Sequence, residues 1–151
     1  MAFYAQYLHR VGRLDDSEPL FREALAGTKR LLGNAHPSTL ATVGNLAELL
    51  RAKGDLRGAE PLYCEALAGL RRALGDAHPT TLTSVHNLAH LLQAKGDLEG
   101  AEAHFREALA GLRRALGDAH SNTRTTIGSL ATLLEQRGKR AEAAALRAGA
   151  K

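Results

Sequence analysis

Residues 76–82 read DAHPTTL; the same phrase stands 42 residues earlier as NAHPSTL at 34–40 and 42 residues later, partly eroded, as DAHSNTR at 118–124. Laying residues 41–82 over 83–124 gives 29 identities in 42 positions, far beyond chance. A period of this length marks a repeat architecture and has to be found before any single helix is assigned. The register makes His36, His78 and His120 equivalent. It also aligns Gly12, Gly54, Gly96 and Gly138, and Leu8, Leu50, Leu92 and Leu134. It divides the chain into an incomplete first repeat, residues 1–34, two complete repeats, 35–76 and 77–118, and a shortened fourth, 119–151.

Within one repeat the punctuation predicts two helices. In TVGNLAELLRAK, residues 42–53, Val43, Leu46, Leu49 and Leu50 recur at helical spacing, the signature of an amphipathic helix. Gly54 stops it in the left-handed conformation that glycine adopts without penalty. Asp55 stands where an N-cap opens the second helix. That helix places Leu56, Ala59, Tyr63, Ala66, Leu67, Leu70 and Leu74 on one side and ends at Gly75, with His78-Pro79 read as the connection to the next repeat. The spacing predicts a helix A over residues 2–11, 39–53, 81–95 and 123–137. It predicts a helix B over 15–32, 56–74, 98–116 and 140–149. Pro19 and Pro61 fall in the second turn of their helices, where Ala103 of the third repeat shows that proline is not required.

One such pair cannot bury its own apolar face, whereas stacked pairs can, so the expected fold is an all-α solenoid with a continuous core. Composition agrees. The chain has 151 residues, of which 28 are alanine and 27 leucine, with three Phe, three Tyr and no Trp. Small residues recur where helices must approach (Ala47/Ala89/Ala131, Ala59/Ala101, Ala66/Ala108), and large ones between them (Phe21/Tyr63/Phe105). Scarce β-branched residues argue against a sandwich or barrel. No apolar run approaches the roughly 18 residues of a membrane span, and no signal-peptide pattern follows Met1. Cys64 is the only cysteine, so no intramolecular disulfide can form. A reducing cytoplasmic compartment is the expectation, and the formal charge of +4 permits acidic partners without implying them.

The stretch NLAELLRAKGDL, followed by Ala59, Tyr63 and Ala66, resembles the tetratricopeptide repeat. Its usual unit is 34 residues; here the unit is 42 and the extra length extends helix B. A repeat carrying AEPLYCEALAGLRRALGDAHP is similar to those of kinesin light chains and nephrocystin-3-like proteins. The resemblance covers nearly the whole chain. It implies a right-handed superhelix of about 3.5 repeats, a short array or part of a longer one, acting as a protein-interaction scaffold.

In that family helix A lines a concave groove, where an asparagine hydrogen-bonds the backbone of an extended peptide. The resemblance assigns this role to Asn45 and Asn87, with Ser129 in their place in the fourth repeat and Phe3 in the first. An amide suits the task because it offers donor and acceptor together. The neighbouring groove positions are Gln6 and His9, Glu48 and Arg51, His86, His90 and Gln93, and Thr132 and Glu135. The expected ligand is a protein or peptide segment. Only Arg51 is placed for a carboxylate clamp, which argues against specificity for a C-terminal carboxylate.

Other constellations carry less. His86 and His90, four apart on a helix, present the spacing of a metal-ligand pair, but no third ligand is evident, so they read as solvated groove residues. Asp76 with His78 and Asp118 with His120 recur with the repeat and read as turn and capping residues, since catalysis needs a singular constellation. No cofactor, metal or enzymatic activity is expected. The alternative function rests on Lys29-Arg30, Arg71-Arg72 and Arg113-Arg114, a basic ladder on helix B for an acidic protein or nucleic acid. Nucleic acid is disfavoured because Glu23, Glu65 and Glu107 recur nearby and no aromatics accompany the ladder. Phe3, Tyr4 and Tyr7 are expected to be exposed on the incomplete first repeat, which makes self-association through the repeat ends, such as a homodimer, a further expectation.

Overall fold

A computed structural model describes the backbone of residues 2–149 and the side chains of residues 4–149. Among the described residues there are eight helices and no strand: α1 (Ala2–Arg10), α2 (Leu14–Leu32), α3 (Pro37–Ala52), α4 (Leu56–Leu74), α5 (Pro79–Ala94), α6 (Leu98–Leu116), α7 (Ser121–Gln136) and α8 (Arg140–Ala148). They form two compact units, Met1–Gly75 with α1–α4 and Asp76–Lys151 with α5–α8.

The A-to-B turn is the same motif each time. At its second occurrence the Gly54 N–H donates to Arg51 O and the Asp55 N–H to Leu50 O, both at 2.9 Å. These bonds satisfy carbonyls that the end of α3 would otherwise leave unpaired, and they require the positive φ of 85° at Gly54. Asp55 then caps α4 by accepting from the Gly58 N–H at 2.9 Å, as Asp97 does from Gly100 in α6. α2 opens on Arg13 instead, without a side-chain cap.

The junction between repeats departs from expectation. Helices α3, α5 and α7 begin two residues before the expected 39, 81 and 123. Pro37 and Pro79 open their helices instead of belonging to the connection. The first helical position needs no N–H partner, and proline's fixed φ suits it. The preceding histidine completes the start: Nδ1 of His36, His78 and His120 accepts from the N–H of Ser38, Thr80 and Asn122, each at 3.1 Å. The A helices also end at residues 10, 52, 94 and 136, one residue early, because the next residue serves as the C-cap. α2 starts at Leu14 and α8 stops at Ala148, one residue from the expected bounds in each case.

The core of the first unit gathers Ala5, Phe21, Leu46 and Leu49, with Leu14, Leu20, Leu25 and Leu62 against it. The second unit gathers Ala89, Ala101, Phe105, Leu109, Ile127, Leu130, Ala131, Leu133, Leu134 and Ala143. In both, an aromatic of helix B (Phe21 or Phe105) meets leucines of the following helix A. Within a pair the helices touch backbone to side chain. A Cβ added at Gly69 would lie 2.5 and 2.7 Å from the methyls of Leu40, and one at Gly111 equally close to Leu82. The leucine fills the space that a side chain would need.

A repeated ion pair ties each B helix to the next A helix inside each unit. Glu18 accepts from Lys53 Nζ at 2.7 Å in the first unit. In the second, the buried Glu102 holds Arg106 and Arg137, and Lys139 at 2.9 Å. Burial pushes the Glu102 carboxyl up, but the hydrogen bond from Lys139 and the Arg106 and Arg137 charges bring it below the usual carboxylate range.

Candidate partner-binding site

In the first unit the expected site residues lie on α1 and α3. Gln6 is exposed; His9, Asn45, Glu48 and Arg51 are half-buried. Glu48 accepts from Arg51 Nε at 3.0 Å and from the hydroxyl of Tyr63, which α4 buries beneath it. Burial and the Glu48 charge push the Tyr63 phenol far above its ordinary value, so it stays a neutral donor. The hydrogen bond to Glu48 likewise raises the Arg51 guanidinium, although burial opposes it. The cation singled out as a carboxylate clamp is therefore engaged within its own helix.

In the second unit the structure brings His86, His90 and Ser129 together and adds two residues that sequence reasoning missed, Thr126 and Phe105. His86 is buried at 8 % exposure, which corrects its reading as a solvated residue, while His90 is half-buried. Both rings pack edge-on against Phe105, with centroids 5.2 and 4.9 Å away. Thr126 Oγ1 donates to Asn122 O at 2.9 Å and lies 3.0 Å from His86 Nδ1. His86 Nε2 and His90 Nε2 face each other at 3.1 Å. Ser129 Oγ lies 3.3 Å from that same His90 nitrogen.

Beside this cluster a cleft of about 160 Å³ is lined by Thr83, His86, Asn87, Leu112, Asn122, Thr125 and Thr126. Its walls combine amide, hydroxyl and imidazole groups with an apolar surface to which Leu112 contributes, and no Asp, Glu, Lys or Arg lines it. Neither Asn45 nor Asn87 has a hydrogen-bond partner among the described residues, so both amides keep their donors and acceptors. Gln93 donates to Gln136 at 2.7 Å. The remaining expected members stand apart: Thr132 donates to Gly128 O at 3.0 Å, and Glu135 pairs with Arg147 of α8, which holds its carboxyl low. Phe3 lies outside the described side chains. Thr83, Asn122, Thr125 and Thr126 escaped the sequence reading because they sit near the start of their helices, one turn or more before the asparagine position.

The basic ladder is partly neutralised. Lys29 stands 3.9 Å from Glu65, and Arg113 pairs with Asp118 at 2.6 Å. Arg30, Arg71, Arg72 and Arg114 are exposed. Arg72 also lines a shallow depression of about 390 Å³ with Asn34, Leu40, Glu65 and Gly69.

The tetratricopeptide repeat profile matches residues 1–72, 45–113 and 79–146. The chain belongs to the tetratricopeptide repeat family. Among solved structures, this tetratricopeptide repeat chain is similar to a Podosopora anserina protein described as a kinesin light chain with nearly identical TPR-like repeats. The two are 26% identical, with a TM-score of 0.84, covering 99% of this chain and 71% of the other. It shares its fold with BtubC (BKLC) from P. vanneervenii, at 23% identity and a TM-score of 0.82, covering 99% of this chain and 59% of that one. No curated protein matches the chain. Tetratricopeptide repeats mediate protein–protein interaction, and kinesin-light-chain-like repeats are its relatives of known structure. Among the described residues, no helix is long and apolar enough to cross a membrane.

Proposed function

We propose that this tetratricopeptide repeat chain is a scaffold that binds an extended peptide or protein segment along the polar faces of its A helices. In the second unit the segment lies over α5 and α7, with Asn87 hydrogen-bonding its backbone. Asn45 does the same on α3 of the first unit. One observation carries the reading: Asn87 keeps an unused amide at the wall of an uncharged cleft of about 160 Å³. Such a wall reads a peptide bond better than a charged group. The surface acts by presentation and involves no chemical step.

The test uses peptides selected from a random display library against the chain. Asn45→Ala combined with Asn87→Ala should weaken the selected peptides at least tenfold while the helical signal is retained. Unchanged affinity moves the site elsewhere. Salt decides the alternative: a ligand held by the exposed Arg30, Arg72 and Arg114 loses affinity steeply as ionic strength rises, whereas a backbone-bound peptide does not.

A further inference from the structure

One constellation of the second unit has no counterpart in the other repeats. In the 42-residue register His86 corresponds to Gly44 and Gly128, and His90 to Glu48 and Thr132. The repeat fold therefore asks for a histidine at neither position. The surroundings change with them. In the first unit Glu48 is held by the Tyr63 hydroxyl and by Arg51. At the equivalent places around His90 stand Phe105, which has no hydroxyl, and Gln93, which has no charge. Carboxylate, phenol and guanidinium are thus replaced together, and two imidazoles against an apolar ring take their place.

Both rings are fixed where they stand. They pack edge-on against Phe105, and His86 Nδ1 lies 3.0 Å from Thr126 Oγ1 on α7. Their Nε2 atoms face each other at 3.1 Å, and the ring centroids are 4.7 Å apart. Imidazole binds zinc at ~2.0–2.1 Å, so a cation equidistant from nitrogens this far apart spans about 100° between them, near the tetrahedral angle. The same construction sets the ring centroids about 4.8 Å apart, close to the separation in the structure. Ser129 Oγ, 3.3 Å from His90 Nε2, adds an oxygen on the α7 side. Among the described residues no group of three or more His, Cys, Asp or Glu is placed to hold a metal ion, so the pair leaves the other coordination positions to water. The half-buried His90 gives access from the surface of α5.

We propose that His86 and His90 chelate one divalent cation of the zinc class through their Nε2 atoms. Imidazole nitrogen suits zinc, copper and nickel, whereas magnesium and calcium take oxygen ligands. A proton on either Nε2 moves through solvent to Nδ1 of the same ring as the cation enters, so both rings stay neutral. On His86 that proton meets Thr126 Oγ1, which can accept it, and such a bond fixes the tautomer of a metal-bound histidine. The site is independent of the peptide-binding reading, which rests on Asn45 and Asn87.

Zinc chloride titrated by calorimetry into the untagged full chain tests it. One ion should bind per chain and raise the thermal midpoint, and magnesium should do neither. X-ray absorption at the zinc edge should count two imidazole nitrogens, with oxygens completing the shell. His86→Gln and His90→Gln should each weaken zinc binding at least tenfold, since an amide keeps the polarity and loses the ring nitrogen. His104→Gln, on α6 outside the pair, should bind zinc as the wild-type chain does. Circular dichroism without zinc verifies that the helices persist; should the buried His86→Gln unfold, the half-buried His90→Gln decides. The proposal is overturned if the wild-type chain shows no saturable zinc binding, if His90→Gln keeps the wild-type affinity, or if His104→Gln loses it.

Discussion

Gly111→Ala is the sharpest probe of how a helix pair closes. A methyl at this position would sit 2.5 and 2.7 Å from the two methyls of Leu82 and 3.1 Å from its Cγ. Carbon atoms in contact prefer about 3.5–4.0 Å, so the helices or the leucine must give by about 1 Å. Leu82 is only 3% exposed and is met from all three of its outer carbons, so a simple rotation does not clear the space. Overpacking of this kind costs about 1–3 kcal/mol. Alanine gains about 1 kcal/mol of helix propensity over glycine. The net expectation is a loss of about 1 kcal/mol. Gly128→Ala on α7 is the control: nothing lies within 4 Å of its added Cβ, so only the propensity gain of about 1 kcal/mol remains. In a Leu82→Ala background, which is itself destabilised, Gly111→Ala should become stabilising like the control. That gives a coupling of about 2 kcal/mol, typical of residues in contact. Urea unfolding followed by helical circular dichroism reads the native chain and all four variants. The packing argument is refuted if Gly111→Ala stabilises the native background as much as Gly128→Ala does.

Among the described residues, the hydroxyls of Thr39, Thr81 and Thr123 are fully buried without a hydrogen-bond partner. Thr81→Val should therefore stabilise by about 1 kcal/mol, the order of an unpaired buried polar group, and a lowered thermal midpoint would count against this. Glu102→Gln should destabilise the second unit by about 2 kcal/mol, because Arg106, Arg137 and Lys139 lose their common anion although they can still reach water. Since the Glu102 carboxyl titrates below its unfolded value, its contribution is fully present above about pH 4.3 and is lost as pH falls through the lower folded value. The native chain should thus shed stability in acid more steeply than Glu102→Gln, and parallel pH–stability curves would exclude the role.

Much of the fold could be read directly because each rule acts over a few residues. The positive φ of Gly54, the Asp55 cap and the spacing of Leu46, Leu49 and Leu50 depend on neighbours within two turns. The 42-residue register then carried those local readings to every repeat. The histidine-proline step shows where local reading faltered. Proline can end one helix or begin the next, and only the Nδ1 bond from His78 to the Thr80 N–H decides for the beginning. The candidate site was legible by position but not by partnership. His86 and His90 were read as solvated, yet the burial of His86 and its contact with Thr126, 40 residues away, depend on a second helix.

The sequence by itself determined the repeat, its helix pairs and the residues that alternate between close approach and filling. Those properties belong to one helix and its caps. Tertiary structure alone decided which side chains meet across helices, which acid gathers three cations, and where a glycine has to yield to a leucine. Each depends on side chains of different helices converging at a crossing, and no periodicity along one chain specifies the distance between two of them.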